Sequence, residues 1–405
     1  MIIKNELLKD RIFYWLLAFC LISLPFPDYS FNSQAIIAFF VYWLLYNSFS
    51  EKKELFLQNK FSILLLSSLF WIPLLGTIYT NNLDAALDEL RIKLPFLIFP
   101  LILLTVRLKD CRPFVMNQFL FGVLAASLLA LAKVVYFKIN NLGNYFYYSK
   151  FSEFLDKHTT YFSLFVVICM LWLLWQFVHR KANRLLLIIG ALALLYILYL
   201  LSVRISIIAL AVGSLVTILS FVASTWKRIL ILIIIPVLLG SIYFTPYFQK
   251  RFDPSTTETA QISDIEFREL HWKAVLETIA QNNLLIGYGT RTHRDYLYTK
   301  YKEYGLTSAY REGYNAHNQY LEVFLEFGTI GFVIFLSLIL YLFWVFKKNE
   351  DYFALSILLV FLIYMLTESI FQRHSGIVIF SFLTALYLNK NTVRLRSKVF
   401  NSMFY

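Results

Sequence analysis

Runs of mostly apolar residues, about 18 or more long, recur from one end of the chain to the other, and that length is what a helix needs to cross about 30 Å of hydrocarbon. Candidate spans fall near residues 12–26, 31–49, 61–79, 92–106, 114–137, 159–178, 185–203, 205–223, 228–248, 329–346, 353–370 and 376–389. With 59% hydrophobic and only 15% charged residues, the chain is far from an average soluble domain. The expected fold is therefore an all-α polytopic membrane protein of about twelve transmembrane helices. The first span leads through Pro25 and Pro27 into the second with no small-residue cleavage site, so it is expected to be retained.

Orientation follows from the Lys and Arg of the short loops, which concentrate on the cytoplasmic side. With the N-terminus inside, the inside segments carry twenty such residues, including Lys52, Lys53, Lys347 and Lys348, while the outside short loops carry eight. Both termini are expected to be cytoplasmic. The formal net charge of +12 then reflects orientation and attraction to anionic membrane lipids, with no nucleic acid needed as a partner.

Three regions follow: residues 1–248 as an N-terminal transmembrane bundle of about nine helices, 249–318 as a long outside loop, and 319–405 as about three further helices with a cytoplasmic tail. The loop balances nine basic against nine acidic residues, and stretches from 265 and from 315 read as helical. Five of the six histidines fall outside, so any chemistry is expected to face outward. Cys20, Cys111 and Cys169 imply no disulfide framework, and no repeat or nucleotide-binding motif is evident.

Several polar residues are candidates for a site. Arg204, in "LLSVRISIIAL", either snorkels at the outer interface or points into a cavity between helices. In "IEFRELHWKAVLETIA", Arg268 and Trp272 stand four apart on one helical face, which suits an interfacial Trp with an Arg reaching an anion or simply a surface helix. Within "YNAHNQYLEVFLEFG", Asn315 is expected to cap a helix with His317 in its first turn. There the helix dipole would favour neutral imidazole and welcome a phosphate oxygen.

Glu322 and Glu326 are also four apart, flanking a site or forming a solvated stripe. In "TESIFQRHSG", Glu368 sits at the end of a span with Arg373 as its nearest candidate partner, in a structural ion pair or a substrate contact. Eight tyrosines between 288 and 320, Tyr314 among them, could stack on sugar faces or form an interfacial belt. Asp264 and Glu266 give only a weak metal signal, and no metal or other cofactor is expected.

Together, "SVRIS", "FRELHW" followed by "NNLLIGYG", and "AHNQYLEVFLEFGTIG" resemble the signature of the O-antigen ligase and polymerase superfamily of bacterial membrane glycosyltransferases, mainly over residues 200–335. The most specific element is His317, Asn318 and Leu321 followed by Gly328 and Gly331. The resemblance implies a glycosyltransferase C-like fold in the bacterial inner membrane, with its active site in the periplasmic loop. It also implies an inverting-type, metal-independent transfer of a glycan from undecaprenyl diphosphate to a lipid A core sugar.

On that reading His317 is the general base and Arg204, Arg268 and Arg373 hold the diphosphate, with Asn318, Glu322, Trp272, Glu368 and Tyr314 in support. Polysaccharide polymerase and protein O-oligosaccharyltransferase activities of the same superfamily remain alternatives, and a lipid-glycan transporter is the alternative of a different class.

Overall fold

The computed structural model describes residues 2–108, 111–143, 145–146, 149–179, 181–222, 226 and 264–389. The expected ninth span at 228–248, the irregular loop entry at 251–263 and the tail beyond 389 lie outside the described residues. Within them the chain is helical, with no strand.

The first half comprises α1 (Ile2–Ile22), α2 (Tyr29–Leu45), α3 (Phe49–Gly76), α4 (Leu83–Lys93), α5 (Pro95–Leu104), α6 (Arg112–Ile139), α7 (Ser149–Glu153), α8 (Thr159–Val178), α9 (Arg184–Leu201) and α10 (Arg204–Phe221). Six helices among the described residues are long and apolar enough to cross a membrane: α3 with its extension to Tyr79, α6, α8, α9, α10 and the 30-residue helix Gln319–Lys348. Three shorter apolar helices accompany them, Tyr29–Leu45, Tyr352–Met365 and His374–Leu388.

The expected span at 92–106 takes a different form. Lys93 ends α4, Pro95 opens α5 in the first turn, where its missing N–H removes no helical bond, and α5 is only 10 residues long. At about 1.5 Å per residue it reaches roughly 15 Å, half a hydrocarbon core.

Local chemistry sets most boundaries. Asp28, Ser48, Asn82 and Asn183 cap α2, α3, α4 and α9 by accepting backbone N–H groups of their first turns. The α9–α10 junction is two residues long, with Ser202 left-handed (φ 51°) and Val203 extended, so Arg204 becomes the first residue of α10.

The segment after residue 263 forms α11 (Asp264–Ala280), α12 (His293–Glu303) and α13 (Thr307–Glu312), followed by α14 (Gln319–Lys348), α15 (Tyr352–Met365) and α16 (His374–Leu388). Helices α11 to α13 build a small apolar core of their own, in which Ala274, Val275, Leu297, Tyr301 and Leu306 pack against Leu325 of α14. This cap is separate from the large core that runs through the bundle.

Two features dock the cap. Thr290 supplies its N–H to the Gly76 carbonyl (3.3 Å) and its hydroxyl to the Pro73 carbonyl (2.6 Å), both in the last turn of α3. The strap 284–289 is also stitched across a kink in α14. Tyr288 and Gly289 donate to the Leu325 and Glu326 carbonyls, and Thr329 and Ile330 donate to those of Leu284 and Leu285, at 2.8–3.2 Å.

At that crossing the backbones nearly touch. Gly328 (φ 60°, ψ −161°) and Gly287 (φ 66°) have no room for a side chain, since a Cβ on either would lie 2.6 Å from the other's backbone N–H or its neighbour's atoms. The conformation of Gly328 is open essentially to glycine alone.

Gly328→Ala is therefore expected to cost about 1–3 kcal/mol. A thermal melt of the purified protein in detergent should show a lower transition temperature, and an unchanged melt would mean that the strap is not tightly docked.

Candidate active site

At the cap end of the bundle a cavity of about 650 Å³ opens between four chain segments. His158 and Thr160 come from the start of α8, and Ser202, Val203 and Arg204 from the α9–α10 junction. Tyr314, Asn315 and His317 come from the connection to α14, and Glu368 and Arg373 from the connection between α15 and α16. Arg204 thus lines this cavity.

His317 is not in a first helical turn. Asn318 is the cap of α14: its extended backbone lets Oδ1 accept from the N–H groups of Tyr320 (3.0 Å) and Leu321 (3.1 Å), so the helix begins at Gln319. Asn315 performs a smaller task, its Oδ1 accepting the His317 N–H at 2.9 Å in an Asx turn. His317 between them adopts a left-handed φ of 44°, a strained conformation for a non-glycine residue that two flanking side-chain bonds hold in place. The expectation drawn from a first-turn helix dipole is thus replaced by a specific neighbour.

That neighbour is Glu368, whose Oε2 lies 3.5 Å from His317 Nδ1. Glu368 and Arg373, the partner the sequence suggested, form no ion pair; Arg373 lies on the same cavity wall, where its charge still acts on Glu368. Glu368 lies in the connection beyond the end of α15. Burial works against its charge, but the hydrogen bond and charge of His317, with His158 and Arg373, hold its carboxyl below the ordinary value. A carboxylate at Nδ1 leaves Nε2 as the ring nitrogen for a reacting group. Burial pushes His158 below its ordinary value; Glu368 opposes this, while Arg373 and His317 reinforce it.

Behind these groups sits Glu322, fully buried on the first turn of α14. Its Oε2 accepts the N–H of Ala316 (2.7 Å) and the hydroxyl of Ser369 (3.2 Å), and its Oε1 lies 3.1 Å from His293 Nε2. One carboxylate thus holds the residue before His317 and the residue after Glu368. Asn318 adds a second tie, donating from Nδ2 to the Leu366 carbonyl at 3.2 Å. Glu322 and Asn318 are positioning residues, and neither side chain lines the cavity.

Tyr314 sits edge-on to His317, with ring centroids 5.1 Å apart. His271 lies on its other side at 5.4 Å, its Nε2 bonded to both the Asn315 carbonyl and the Tyr301 hydroxyl at 2.8 Å. Trp272, one residue further on, is half-buried and is not part of the cavity wall. Arg268 falls on α11, and its side chain lies outside the described residues. Glu326 faces away from the cavity, its carboxylate 3.6 Å from Lys93 Nζ and 3.4 Å from Gln372 Nε2.

His158 and His293 carry no motif that would have marked them, and His271 lies within "FRELHW", where Arg268 and Trp272 drew the reading instead. The only signal for His158 and His293 in the sequence is membership of the outward-facing histidine set.

A helical bundle with six membrane-length apolar helices among the described residues, and a charged, histidine-bearing cavity at one end, is that of a polytopic membrane protein. Residues 189–336 match the family model described as O-Antigen ligase, so that part of the chain is similar to this family. No curated protein sequence matches the chain. The matched segment contains Arg204, Arg268, Trp272, Tyr314, His317, Asn318 and Glu322.

Two expectations follow. In Glu322→Ala, the amide of Ala316 loses its acceptor and His293 loses its buried partner, at a cost of about 1–3 kcal/mol per orphaned group. Hydrogen exchange over 314–318 and 367–370 should accelerate, and exchange as slow as in the wild type would refute the clamp.

Glu368, its pKa depressed, contributes stability in full above the ordinary value of 4.5 and loses it only as the pH falls through the lower folded value. The melting difference between wild type and Glu368→Gln should therefore be constant at neutral pH and narrow only in acid below 4.5. A difference that already shrinks around neutrality would contradict this assignment.

Proposed function

We propose that the protein is an inverting, metal-independent glycosyltransferase that moves a glycan from undecaprenyl diphosphate to an acceptor hydroxyl, with a lipid A core sugar as acceptor. It would act as an O-antigen ligase at the periplasmic face of the bacterial inner membrane, with both termini cytoplasmic. The observation that carries this reading is the presence, in one cavity of about 650 Å³, of the His317–Glu368 pair together with the guanidinium residues Arg204 and Arg373.

The chemistry follows from those groups. The acceptor hydroxyl donates its proton to His317 Nε2 as its oxygen bonds to the anomeric carbon. The bond from that carbon to the diphosphate oxygen breaks, and its electron pair leaves with the lipid diphosphate. Glu368 orients the imidazole and balances the imidazolium that forms. Arg204 and Arg373, with Arg268 as a third candidate, face the charge that develops on the leaving group, a task for which a guanidinium fork suits phosphate oxygens. The donor is already activated, so the reaction needs no nucleotide.

A polymerase or a protein O-oligosaccharyltransferase would use the same base and clamp and differ only in the acceptor. A lipid-glycan transporter would have no use for a base paired to a carboxylate.

The test combines purified protein, an undecaprenyl diphosphate glycan and a lipid A core acceptor, with His317→Ala in parallel and product size read on a gel. Transfer of intact chains should fall about 10²- to 10⁴-fold in the variant, and chelator should leave wild-type turnover unchanged. Unaltered transfer by His317→Ala would remove it as the base, strict dependence on an added divalent ion would overturn the metal-free mechanism, and a donor ladder lengthening with time would identify a polymerase.

A further inference from the structure

A second cavity, of about 450 Å³, lies beside the strap and shares no wall residue with the first. Helix α11 separates the two. The His271 ring is 5.4 Å from that of His317, whereas Gln281, on the second cavity, follows the far end of the helix. Ten residues at about 1.5 Å each put roughly 15 Å between them.

The chemistry of this cavity differs from that of the first. Its wall is aromatic: Tyr288 and Tyr296 lie with ring centroids 4.5 Å apart at 34°, and Tyr79 adds a third ring from the end of α3. Two of the rings are fixed, because the Tyr79 hydroxyl donates to the Ile286 carbonyl (2.8 Å) and that of Tyr288 to the Thr278 carbonyl (2.9 Å). Tyr296 is 47% exposed, and its hydroxyl makes no hydrogen bond among the described residues. The side-chain amides of Asn81, Gln281 and Asn282 on the same wall likewise make none among the described residues.

No charged residue lines the cavity, so a phosphate or an acidic sugar would find no cation there. The exposed faces of Tyr79 and of Tyr296, the latter backed by the buried Tyr288, beside amides that can both donate and accept, complement the C–H faces and hydroxyls of an uncharged pyranose.

We propose that this cavity is a saccharide-binding site that holds an uncharged stretch of glycan away from the reacting end. Its place in the transfer reaction rests on the proposed function; its affinity for neutral sugar does not. It also accounts for tyrosines that the first cavity leaves without a role. Among the eight of the 288–320 region, Tyr314 serves the first cavity and Tyr288 and Tyr296 serve this one, whereas Tyr298, Tyr304 and Tyr320 spend their hydroxyls on Gly313, Glu277 and Leu362.

The test uses the full-length protein in lipid nanodiscs and saturation-transfer NMR with uncharged tetrasaccharides of the malto, cello, chito and manno series. At least one should bind, and affinity should drop about two- to tenfold in Tyr296→Ala, the loss of one aromatic contact. Gln281→Ala should also weaken binding, and His317→Ala should leave it unchanged. Gln281 is exposed and its side chain makes no hydrogen bond to a core residue among the described residues, so Gln281→Ala separates loss of the site from the loosening that Tyr296→Ala could cause by removing its ring from Tyr288. Absence of binding by every series, binding indifferent to Tyr296→Ala, or binding lost in His317→Ala would each overturn the proposal. Because the readout is binding, failure of the transferase reading in the gel assay would leave this result intact, and the reverse also holds.

Discussion

The buried carboxylate of Glu322 is the constraint on which the geometry of the first cavity depends. An ionisable group with no exposed surface is tolerated only when its hydrogen-bonding capacity is filled. Here the donors come from three distant parts of the chain: the Ala316 amide, the Ser369 hydroxyl and His293. Satisfying one side chain therefore requires the cap, the start of α14 and the α15–α16 connection to meet at a point. His317 and Glu368 lie one residue from two of those contacts, so their separation is set by the demand of a third residue.

One helical turn further along α14, Glu326 is equally buried but less completely satisfied, since its Oε1 has no hydrogen-bond partner among the described residues. It faces Lys93 on α4, and Lys93 is held in turn by Glu89 at 2.8 Å, while Arg294 on α12 lies 3.7 Å from Glu89 and bonds Gln372 at 2.8 Å. Buried ion pairs of this kind add little net stability over apolar packing, yet removing one partner is costly. Their effect is to fix register: α4, α12, α14 and the α15–α16 connection have one arrangement in which the charges meet. The glycine crossing at Gly287 and Gly328 adds a steric condition to the electrostatic one, because only there can the strap reach the α14 carbonyls.

Much of the helical layout was legible in the chain. The apolar runs at 185–203 and 205–223 correspond to α9 and α10 within two residues, and the run beginning at 329 starts where the backbone kinks at Gly328. Pro95 signalled a helix start that a hydropathy window overrides, which is why 92–106 read as one span. Two asparagines three residues apart could each cap a helix; Asn318 prevails because it alone finds two helical N–H groups. The i, i+4 spacing put Glu322 and Glu326 on one face, but no spacing discloses partners at 293, 316 and 369. Lys93 is buried although no neighbour in sequence announces it, because its counter-ions come partly from a helix more than two hundred residues away.

The distribution of cavity residues along the chain bears on how such a site can be transplanted or divided. Arg204, Tyr314 and His317 lie inside the segment that matches the family, whereas His158, Glu368 and Arg373 lie outside it. The imidazole therefore sits in the matched region and the carboxylate that orients it beyond, with Glu322 spanning the two through Ala316 and Ser369. A fragment limited to the matched residues would retain His317 but lose Glu368, Ser369 and the Leu366 carbonyl that anchors Asn318. The left-handed His317 backbone would then rest on its Asx turn alone. The pairing that orients the imidazole is thus a property of the whole bundle, and the motif alone does not contain it.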